Sequence, residues 1–369
     1  MSETLKFKLD VLQKIAKERT VKTQTIEYDL ETLVKKINKG YIKLNPDYQR
    51  NHRWGKEISS KLIESLILNI PIPVIYLSED VDVDVELQDD IARYSVIDGQ
   101  QRLTAISEYM NNNFELTDLE VLKDLNGSLY KDLPPFLIRR LEERTIKCLR
   151  IDSTIDPLVK YDIFERLNSG SVELTAQELR NAIYRGKFND TIKVLATDKN
   201  FIKLLNIKEK NADDNTKVKK MEDVELVLRF FSLDNDNYDN IKKGFKKFLS
   251  DEMEKFNKLN KTKLDQMSKR FINTMRIIYN SFGELAFAKY KFEDGKYKKV
   301  SNFNAAVFDS LAIGVATTID LKKDRIADSK IDNFKKLFSD KAFSESINGS
   351  VNDKEKVRTR IQMAKEALK

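Results

Sequence analysis

β-Strand patterns in this 369-residue chain end at about residue 155, and the periodic segments after that point have helical spacing. Before it, strand-like segments at residues 20–28, 74–78, 92–97 and 144–151 occur together with amphipathic helical segments. The sequence therefore predicts an α+β protein. We expect a mixed α/β domain at residues 1–152, followed by an all-α helical domain at residues 153–369.

Capping residues and prolines mark helix boundaries in the first domain. Asp29 has the side chain of an N-cap, and Gly40 is suited to end the helix that Asp29 begins. A second helix begins near residue 56 and is terminated by two prolines, Pro71 and Pro73. Its apolar residues recur every four positions and predict a buried face at Ile58, Leu62, Leu66 and Ile70.

The second domain is predicted to be compact rather than a solenoid, because no segment repeats at a fixed period of 20 to 50 residues. Thr175 and Glu178 have the spacing of a capping box, and Gly186 is expected to end the helix that they begin. Positive charge is concentrated here: residues 153–369 contain 43 Lys or Arg and 33 Asp or Glu, against 23 and 26 in residues 1–152. A basic helical region is typical of a polyanion-binding protein, although solvated Lys-rich faces have the same composition.

Histidine and cysteine counts exclude several kinds of site. His52 is the single histidine and Cys148 the single cysteine, so the paired ligands of a zinc finger, a His-Glu-x-x-His protease or an HNH nuclease are missing. Cys148 lies in an alternating apolar segment and is expected to be a buried structural thiol. The sequence contains no membrane-spanning apolar run, and its first residues lack a signal-peptide core, which predicts a cytoplasmic protein without a membrane partner.

Residues 79–90 contain seven acidic residues that alternate with valines. This pattern is typical of an exposed hairpin with one wet face, and a metal site is the alternative.

The segment Asp98-Gly99-Gln100-Gln101-Arg102 joins a predicted strand to a predicted helix. A tight glycine turn that opens a helix directs backbone N–H groups and the positive end of the helix dipole outward, which suits phosphate. Arg102 could donate to phosphate oxygens, and Asp98 could hold Mg²⁺ or orient a water molecule. The alternative is an ordinary helix start, with Asp98 as N-cap, both glutamines exposed and Arg102 in a surface ion pair.

Two further polar segments are candidates for ligand binding. Residues 45–54 place Arg50, Arg53, His52 and the only tryptophan, Trp54, between periodic segments. Arg50 or Arg53 could reach a phosphate, whereas a purely structural role would have Trp54 anchor the following helix. Residues 164–170 end a helix in a polar turn, for which a simple C-cap is the alternative.

These segments together resemble a known family. The order YQRNHRW, VIDGQQRLTAI, FERLNSGSVELTAQELRNA and MEDVELVLRFF is similar to the N-terminal domain family of GmrSD-type modification-dependent restriction enzymes, also seen in DNA-phosphorothioate-sensing phage-defence proteins. The resemblance covers roughly residues 20–235. It implies that the first domain is similar to the ParB and sulfiredoxin fold.

The resemblance also implies roles for single residues. Asp98, Gln101 and Arg102 are expected to act in nucleoside triphosphate hydrolysis, and the position of Asp98 at the strand end makes it the expected Mg²⁺ ligand. Together with Arg53, the residues expected to bind the nucleotide are Gln49, Arg50, Trp54, Gly99, Gln100, Arg166, Asn168, Ser169 and Gly170. This chain has Ser171 where the family usually has a second glycine, and it has no histidine after His52, whereas many relatives continue into a His-Asn-His nuclease domain.

The leading hypothesis from the sequence is an NTP-binding and NTP-hydrolysing, DNA-sensing subunit of a prokaryotic modification-dependent restriction or phage-defence system. A nucleoside triphosphate and Mg²⁺ are the expected cofactors; DNA, modified or plain, and a separately encoded nuclease are the expected partners. Two alternatives stay open: a nucleotide-binding adaptor without turnover that assembles a nuclease, and an autonomous Mg²⁺-dependent DNA nickase. The sequence leaves the oligomeric state open, a homo-oligomer included.

Overall fold

The structure, a computed structural model, describes residues 23–44, 54–79, 94–152, 159, 163, 175–207, 215–242 and 244–369. The chain divides into two compact units, Met1–Leu174 and Thr175–Lys369. The sequence places the domain boundary at 152, and most residues between 152 and 175 lie outside the described part. Each unit is therefore described by itself.

The described residues of the N-terminal unit form a five-stranded mixed sheet with four helices. The elements in chain order are β1 Thr23–Asp29, α1 Leu30–Asn38, β2 Ile42–Lys43, α2 Lys56–Ile67, β3 Ile75–Glu79, β4 Tyr94–Asp98, α3 Gln100–Met110, α4 Pro135–Glu142 and β5 Thr145–Ile151. The strand order is β1-β5-β3-β4-β2, in which β1 and β5 are antiparallel, β5 and β3 parallel, β3 and β4 antiparallel, and β4 and β2 parallel.

Local sequence signals explain the start of α1. The Asp29 side chain accepts a hydrogen bond from the Thr32 backbone N–H at 2.7 Å, which confirms Asp29 as the N-cap. Leu30, Leu33 and Val34 are buried, so one helix face packs on the core of the unit. Gly40 follows the helix with φ +76°, a conformation that glycine adopts at low cost.

The predicted buried face of α2 is wrong at both ends. Leu62 and Leu66 are buried, whereas Ile58 is 51% exposed and Ile70, beyond the helix end, is 48% exposed. A helix turns every 3.6 residues, so four-residue steps drift around the axis, by about 120° over three steps. The buried stripe of α2 instead alternates three- and four-residue steps, and it also includes Ile63 and Ile67.

The ionisable side chains of Cys148 and Glu64 are both buried in the N-terminal unit. Cys148 is fully buried, as predicted, and burial raises the pKa of its thiol to about 12. Glu64 on α2 is also buried, and its carboxylate accepts backbone N–H bonds from Glu120, Val121 and Leu122 at 3.2, 2.8 and 2.7 Å. Burial raises the pKa of Glu64, but the three N–H bonds outweigh this effect and lower it. Glu64 therefore fixes the loop at residues 120–122 to α2.

The described part of the C-terminal unit consists of helices around the buried helix Ala305–Thr318, together with one β-hairpin. The Thr175 capping box is confirmed, because the Thr175 hydroxyl accepts from the Glu178 N–H at 3.2 Å and the Glu178 carboxylate accepts from the Thr175 N–H at 2.7 Å. Gly186 does not end that helix but begins the next one. The elements are α5 Ala176–Ile183, α6 Lys187–Leu195, α7 Lys199–Leu204, α8 Thr216–Lys219, α9 Glu222–Leu233, α10 Phe245–Asn257, α11 Lys261–Phe282, β6 Lys289–Glu293, β7 Lys296–Ser301, α12 Ala305–Thr318, α13 Asp328–Lys336, α14 Lys341–Ser346 and α15 Lys354–Leu368.

The prediction of an all-α second domain is wrong at residues 289–301, where β6 and β7 pair as an antiparallel hairpin. Asp294 and Gly295 form its turn with φ +52° and +74°, the positive values that two-residue hairpin turns require. The alternating aromatic and lysine residues on both sides of this Asp-Gly pair satisfy the strand period.

Aromatic side chains fill the core of the C-terminal unit. Phe201, Phe230 and Phe271 are buried, and their rings meet edge to face with centroids 5.2 Å apart for both Phe201–Phe271 and Phe230–Phe271.

Across the described parts of both units, no helix has the combined length and apolar character needed to cross a membrane.

Candidate functional site

The strand-to-helix turn at residues 98–102 lies beside the centre of the sheet. Strand β4 ends at Asp98, Gly99 occupies the N-cap with φ +96°, and α3 begins at Gln100 without a side-chain cap. A Cβ atom on Gly99 would lie 2.2 Å from Ile75 Cδ1 of the neighbouring strand β3. Only glycine therefore satisfies both the backbone conformation and the packing of this turn.

Arg102 holds this turn from the inside. The residue is only 9% exposed, and its Nη2 donates to Asp98 Oδ2 at 2.8 Å and to the Val74 carbonyl at 3.4 Å, while Nη1 donates to the Pro73 carbonyl. Burial lowers the pKa of the guanidinium, and the Asp98 carboxylate offsets part of that effect. Arg102 thus ties the start of α3 to the segment that leads into β3.

Asp98 and Gln101 are the more accessible members of the segment. The Asp98 side chain is 41% exposed, so its carboxylate can be reached from solvent while one oxygen bonds to Arg102. The Gln101 side-chain oxygen accepts a hydrogen bond from the Trp54 backbone N–H at 3.3 Å. The structure therefore brings Trp54, from the upstream motif, next to the Asp98–Arg102 segment.

The simpler interpretation of residues 98–102 as an ordinary helix start is wrong in its particulars. Gly99, not Asp98, occupies the N-cap, and Gln100 is only 7% exposed. Arg102 does pair with Asp98, but the arginine is buried rather than on the surface. Burying polar side chains in this way requires specific partners, which an ordinary surface helix does not need.

Seven of the predicted nucleotide-binding residues lie outside the described residues, so their roles stay predictions. They are Gln49, Arg50, Arg53, Arg166, Asn168, Ser169 and Gly170. The acidic segment also lies outside, except for Glu79 at the end of β3. Within the described ranges, no group of three or more His, Cys, Asp or Glu side chains is arranged to hold a metal ion.

Sequence reasoning missed the contribution of residues 73–75 to this turn. The sequence predicts Pro73 only as a helix terminator, whereas its carbonyl and that of Val74 accept from Arg102, and Ile75 packs against Gly99. The sequence does contain a signal, because a proline-rich segment before a strand is extended and its carbonyls can accept side-chain donors.

Family comparison covers this same region. Residues 30–185 match the family described as GmrSD restriction endonuclease, N-terminal domain. These residues form a GmrSD N-terminal domain. Neither a curated protein nor a solved structure matches the chain.

The GmrSD N-terminal domain begins with α1 and includes the 98–102 turn, Trp54 and β5. Its match continues to residue 185, beyond the predicted boundary at 152, and thus contains α5 with its Thr175 capping box. The family resemblance inferred from the sequence motifs is confirmed for this part of the chain.

Replacing Arg102 with alanine should lower the free energy of unfolding of the N-terminal unit by about 2 kcal/mol, because the Pro73 and Val74 carbonyls and the Asp98 carboxylate lose the buried donor that joins them. Urea denaturation of the full chain, followed by tryptophan fluorescence from Trp54, measures this change. The control is Arg140→Ala on the exposed face of α4, which should change stability by less than about 0.5 kcal/mol. Equal stability of the two variants would contradict the anchoring role.

Proposed function

We propose that this protein is an NTP-binding and NTP-hydrolysing, DNA-sensing subunit of a prokaryotic modification-dependent restriction or phage-defence system. The observation that carries the proposal is the 98–102 turn within a GmrSD N-terminal domain, where the reachable carboxylate of Asp98 stands at the start of an 11-residue helix. The mixed sheet that leads into this turn supports the further proposal of a ParB- and sulfiredoxin-like fold for the unit.

The start of α3 supports nucleotide binding through its backbone. The first N–H groups of a helix have no partners within the helix, and the dipole places partial positive charge there. No side chain caps α3 at Gly99, so a phosphate could take the place of a side-chain cap. We therefore place the triphosphate at the N-terminus of α3.

Asp98 fits a magnesium ion that is held partly by the nucleotide. Mg²⁺ in nucleotide sites uses one or two carboxylates together with phosphate oxygens and water, so a single aspartate is a sufficient protein ligand. When bound, Mg²⁺ neutralises charge on the phosphates. The hydrogen bond from Arg102 fixes the orientation of the Asp98 carboxylate for this role.

In this proposal, the Gln101 side chain orients the attacking water molecule. Its side chain lies in the first turn of α3, and the hydrogen bond from the Trp54 N–H fixes its amide oxygen. Hydrolysis of a phosphoanhydride depends mainly on positioning and electrostatic stabilisation. The amide of Gln101 and the carboxylate of Asp98 are therefore the side-chain groups that this proposal requires. Arg102 as a direct phosphate ligand stays a prediction, since its donors are engaged by Asp98 and two carbonyls in this structure.

Asp98→Asn should reduce phosphate release at least tenfold, because the amide is a poorer Mg²⁺ ligand than the carboxylate while it keeps the shape and an acceptor for Arg102. The measurement is phosphate release from ATP, GTP, CTP and UTP with Mg²⁺, with and without plain or modified duplex DNA. Asp29→Asn is the matched control, because Asp29 also ends a strand before a helix but serves as N-cap, a role that asparagine fills equally well.

The outcomes separate the proposal from its alternatives. DNA-stimulated release that is lost in Asp98→Asn and kept in Asp29→Asn supports the sensing NTPase. Tight nucleotide binding without release from the wild type would replace it with the adaptor that assembles a separate nuclease. Full release by Asp98→Asn would remove Asp98 from the mechanism.

A further inference from the structure

The hairpin β6–β7 concentrates positive charge on an exposed element. Residues 289–301 contain five lysines, at 289, 291, 296, 298 and 299, and two acidic residues, Glu293 and Asp294. Residues 291–300 are exposed apart from Glu293, which is half-buried. The hairpin is thus a small cationic surface within the C-terminal unit.

Strand register separates the hairpin into two faces. Phe292 lies opposite Tyr297, and Tyr290 opposite Lys299, so these side chains share one face. The Phe292 and Tyr297 rings are in contact with centroids 4.9 Å apart, and Tyr290 packs edge to face on Phe338 at 5.5 Å. This aromatic face stabilises the pairing and fixes the hairpin to the short 3₁₀ turn that contains Phe338.

The other face carries lysines at regular spacing. Lys291 lies opposite Lys298, and Lys296 lies opposite Glu293, so three lysines and one glutamate share this face. Lys291 pairs with Glu293, and Lys298 lies 3.6 Å from the same carboxylate and 3.4 Å from that of Asp294, but the two lysine side chains are 65% and 57% exposed. Exposed ion pairs contribute little energy, so these ammonium groups can exchange their carboxylate partner for a phosphate.

We propose that the face formed by Lys291, Lys296 and Lys298 binds the phosphate backbone of duplex DNA. This inference rests on the proposed function, which requires a DNA contact, and it places that contact on the hairpin rather than on the helices. A two-stranded ribbon is narrow enough to enter the major groove of B-DNA. A five-residue strand spans about 17 Å, and the duplex presents one negative charge per about 1.7 Å of its axis. Several phosphates therefore lie within reach of three lysines on one ribbon.

Lysines on an exposed strand edge have another known effect, because they prevent pairing with the strands of a second molecule. That role alone predicts no change in DNA affinity when the lysines are removed. It also leaves unexplained why three of the lysines share the face opposite the aromatic rings.

The experiment compares two triple variants of the full chain. The hairpin variant is Lys291→Ala, Lys296→Ala and Lys298→Ala; the control is Lys261→Ala, Lys263→Ala and Lys269→Ala, which removes three exposed charges from α11 of the same unit. Fluorescence anisotropy with a labelled 20-base-pair duplex measures the dissociation constant at several salt concentrations. Phosphate release without DNA and the thermal unfolding midpoint are measured for all three proteins.

The hairpin variant should bind DNA at least tenfold more weakly at low salt, and the slope of log affinity against log salt should fall by about 2 to 3, one unit per lost phosphate contact. The control should bind within threefold of the wild type, and neither variant should change DNA-independent phosphate release. Equal losses in both variants would overturn the proposal in favour of a nonspecific charge effect. A wild type that binds no DNA would overturn the DNA part of the proposed function as well, whereas DNA binding unaffected in the hairpin variant would overturn the hairpin proposal alone.

Discussion

Asp309→Ala should lower the free energy of unfolding of the C-terminal unit by about 4 kcal/mol, because two buried arginines lose their shared carboxylate. Asp309 on α12 is 1% exposed, and it accepts from Arg229 of α9 at 3.0 and 2.5 Å and from Arg360 of α15 at 2.6 Å. Both arginines are themselves buried. The carboxylate thus joins three helices that lie far apart in the sequence.

An exposed Asp–Arg pair in the same unit provides a comparison for the stability lost in Asp309→Ala. Asp324 pairs with Arg276, but the Asp324 side chain is 87% exposed, so Asp324→Ala should cost less than about 1 kcal/mol. The stability lost in Asp309→Asn should lie between the losses in Asp309→Ala and Asp324→Ala, since the amide keeps an acceptor without the charge. Urea denaturation monitored by circular dichroism gives all three values. A loss below about 1 kcal/mol for Asp309→Ala would show that the arginines find other partners or water.

Local chemistry predicted the helix starts well. Asp29 and Thr175 act as N-caps because their side chains bond to backbone groups three residues away, and such short-range geometry is fixed by sequence spacing. The buried face of α2 was predicted less well, because a four-residue pattern matches a helix only over a short span. Ile58 therefore satisfies the pattern and is nevertheless exposed.

The hairpin at 289–301 was missed although its turn has a strong signal. The Asp294-Gly295 pair predicts a two-residue turn, but the surrounding lysines have low strand propensity and obscure the aromatic alternation. Packing of Tyr290 on Phe338 stabilises the hairpin, and that contact depends on a residue far along the chain. Local propensity was thus overridden by tertiary packing.

The sequence motifs predicted that two segments lie close together, but not the contacts that hold residues 98–102 in place. The sequence motifs indicated that residues 98–102 and Trp54 belong together, and the hydrogen bond from Trp54 to Gln101 agrees. The contacts of Arg102 with the carbonyls of Pro73 and Val74 were not predicted, because they depend on the order of strands in the sheet. Strand order cannot be derived from the spacing of residues in one sequence.

Gly99→Ala should destabilise the N-terminal unit by about 3 kcal/mol and abolish nucleotide-dependent activity with it. A side chain at φ +96° costs about 1 to 2 kcal/mol, and the added Cβ would overlap Ile75 Cδ1 at 2.2 Å, which costs about 1 to 3 kcal/mol more. Gly127→Ala is the matched control, because Gly127 has φ +85° but nothing within 4 Å of the added carbon. Gly127→Ala should therefore lower the free energy of unfolding only by the backbone strain, about 1 to 2 kcal/mol.

The double variant Gly99→Ala with Ile75→Val tests whether the overlap causes the extra loss. Valine lacks the Cδ1 atom, so the double variant should be more stable than the sum of the two single losses by at least about 1 kcal/mol. If the two free-energy losses are strictly additive, backbone strain at Gly99 causes the whole effect and overlap with Ile75 causes none of it. Because Asp98 and α3 meet at Gly99, recovery of stability should be accompanied by partial recovery of phosphate release if the turn geometry positions the nucleotide site. Restored stability without restored release would show that phosphate release needs the backbone conformation of Gly99 in addition to its packing.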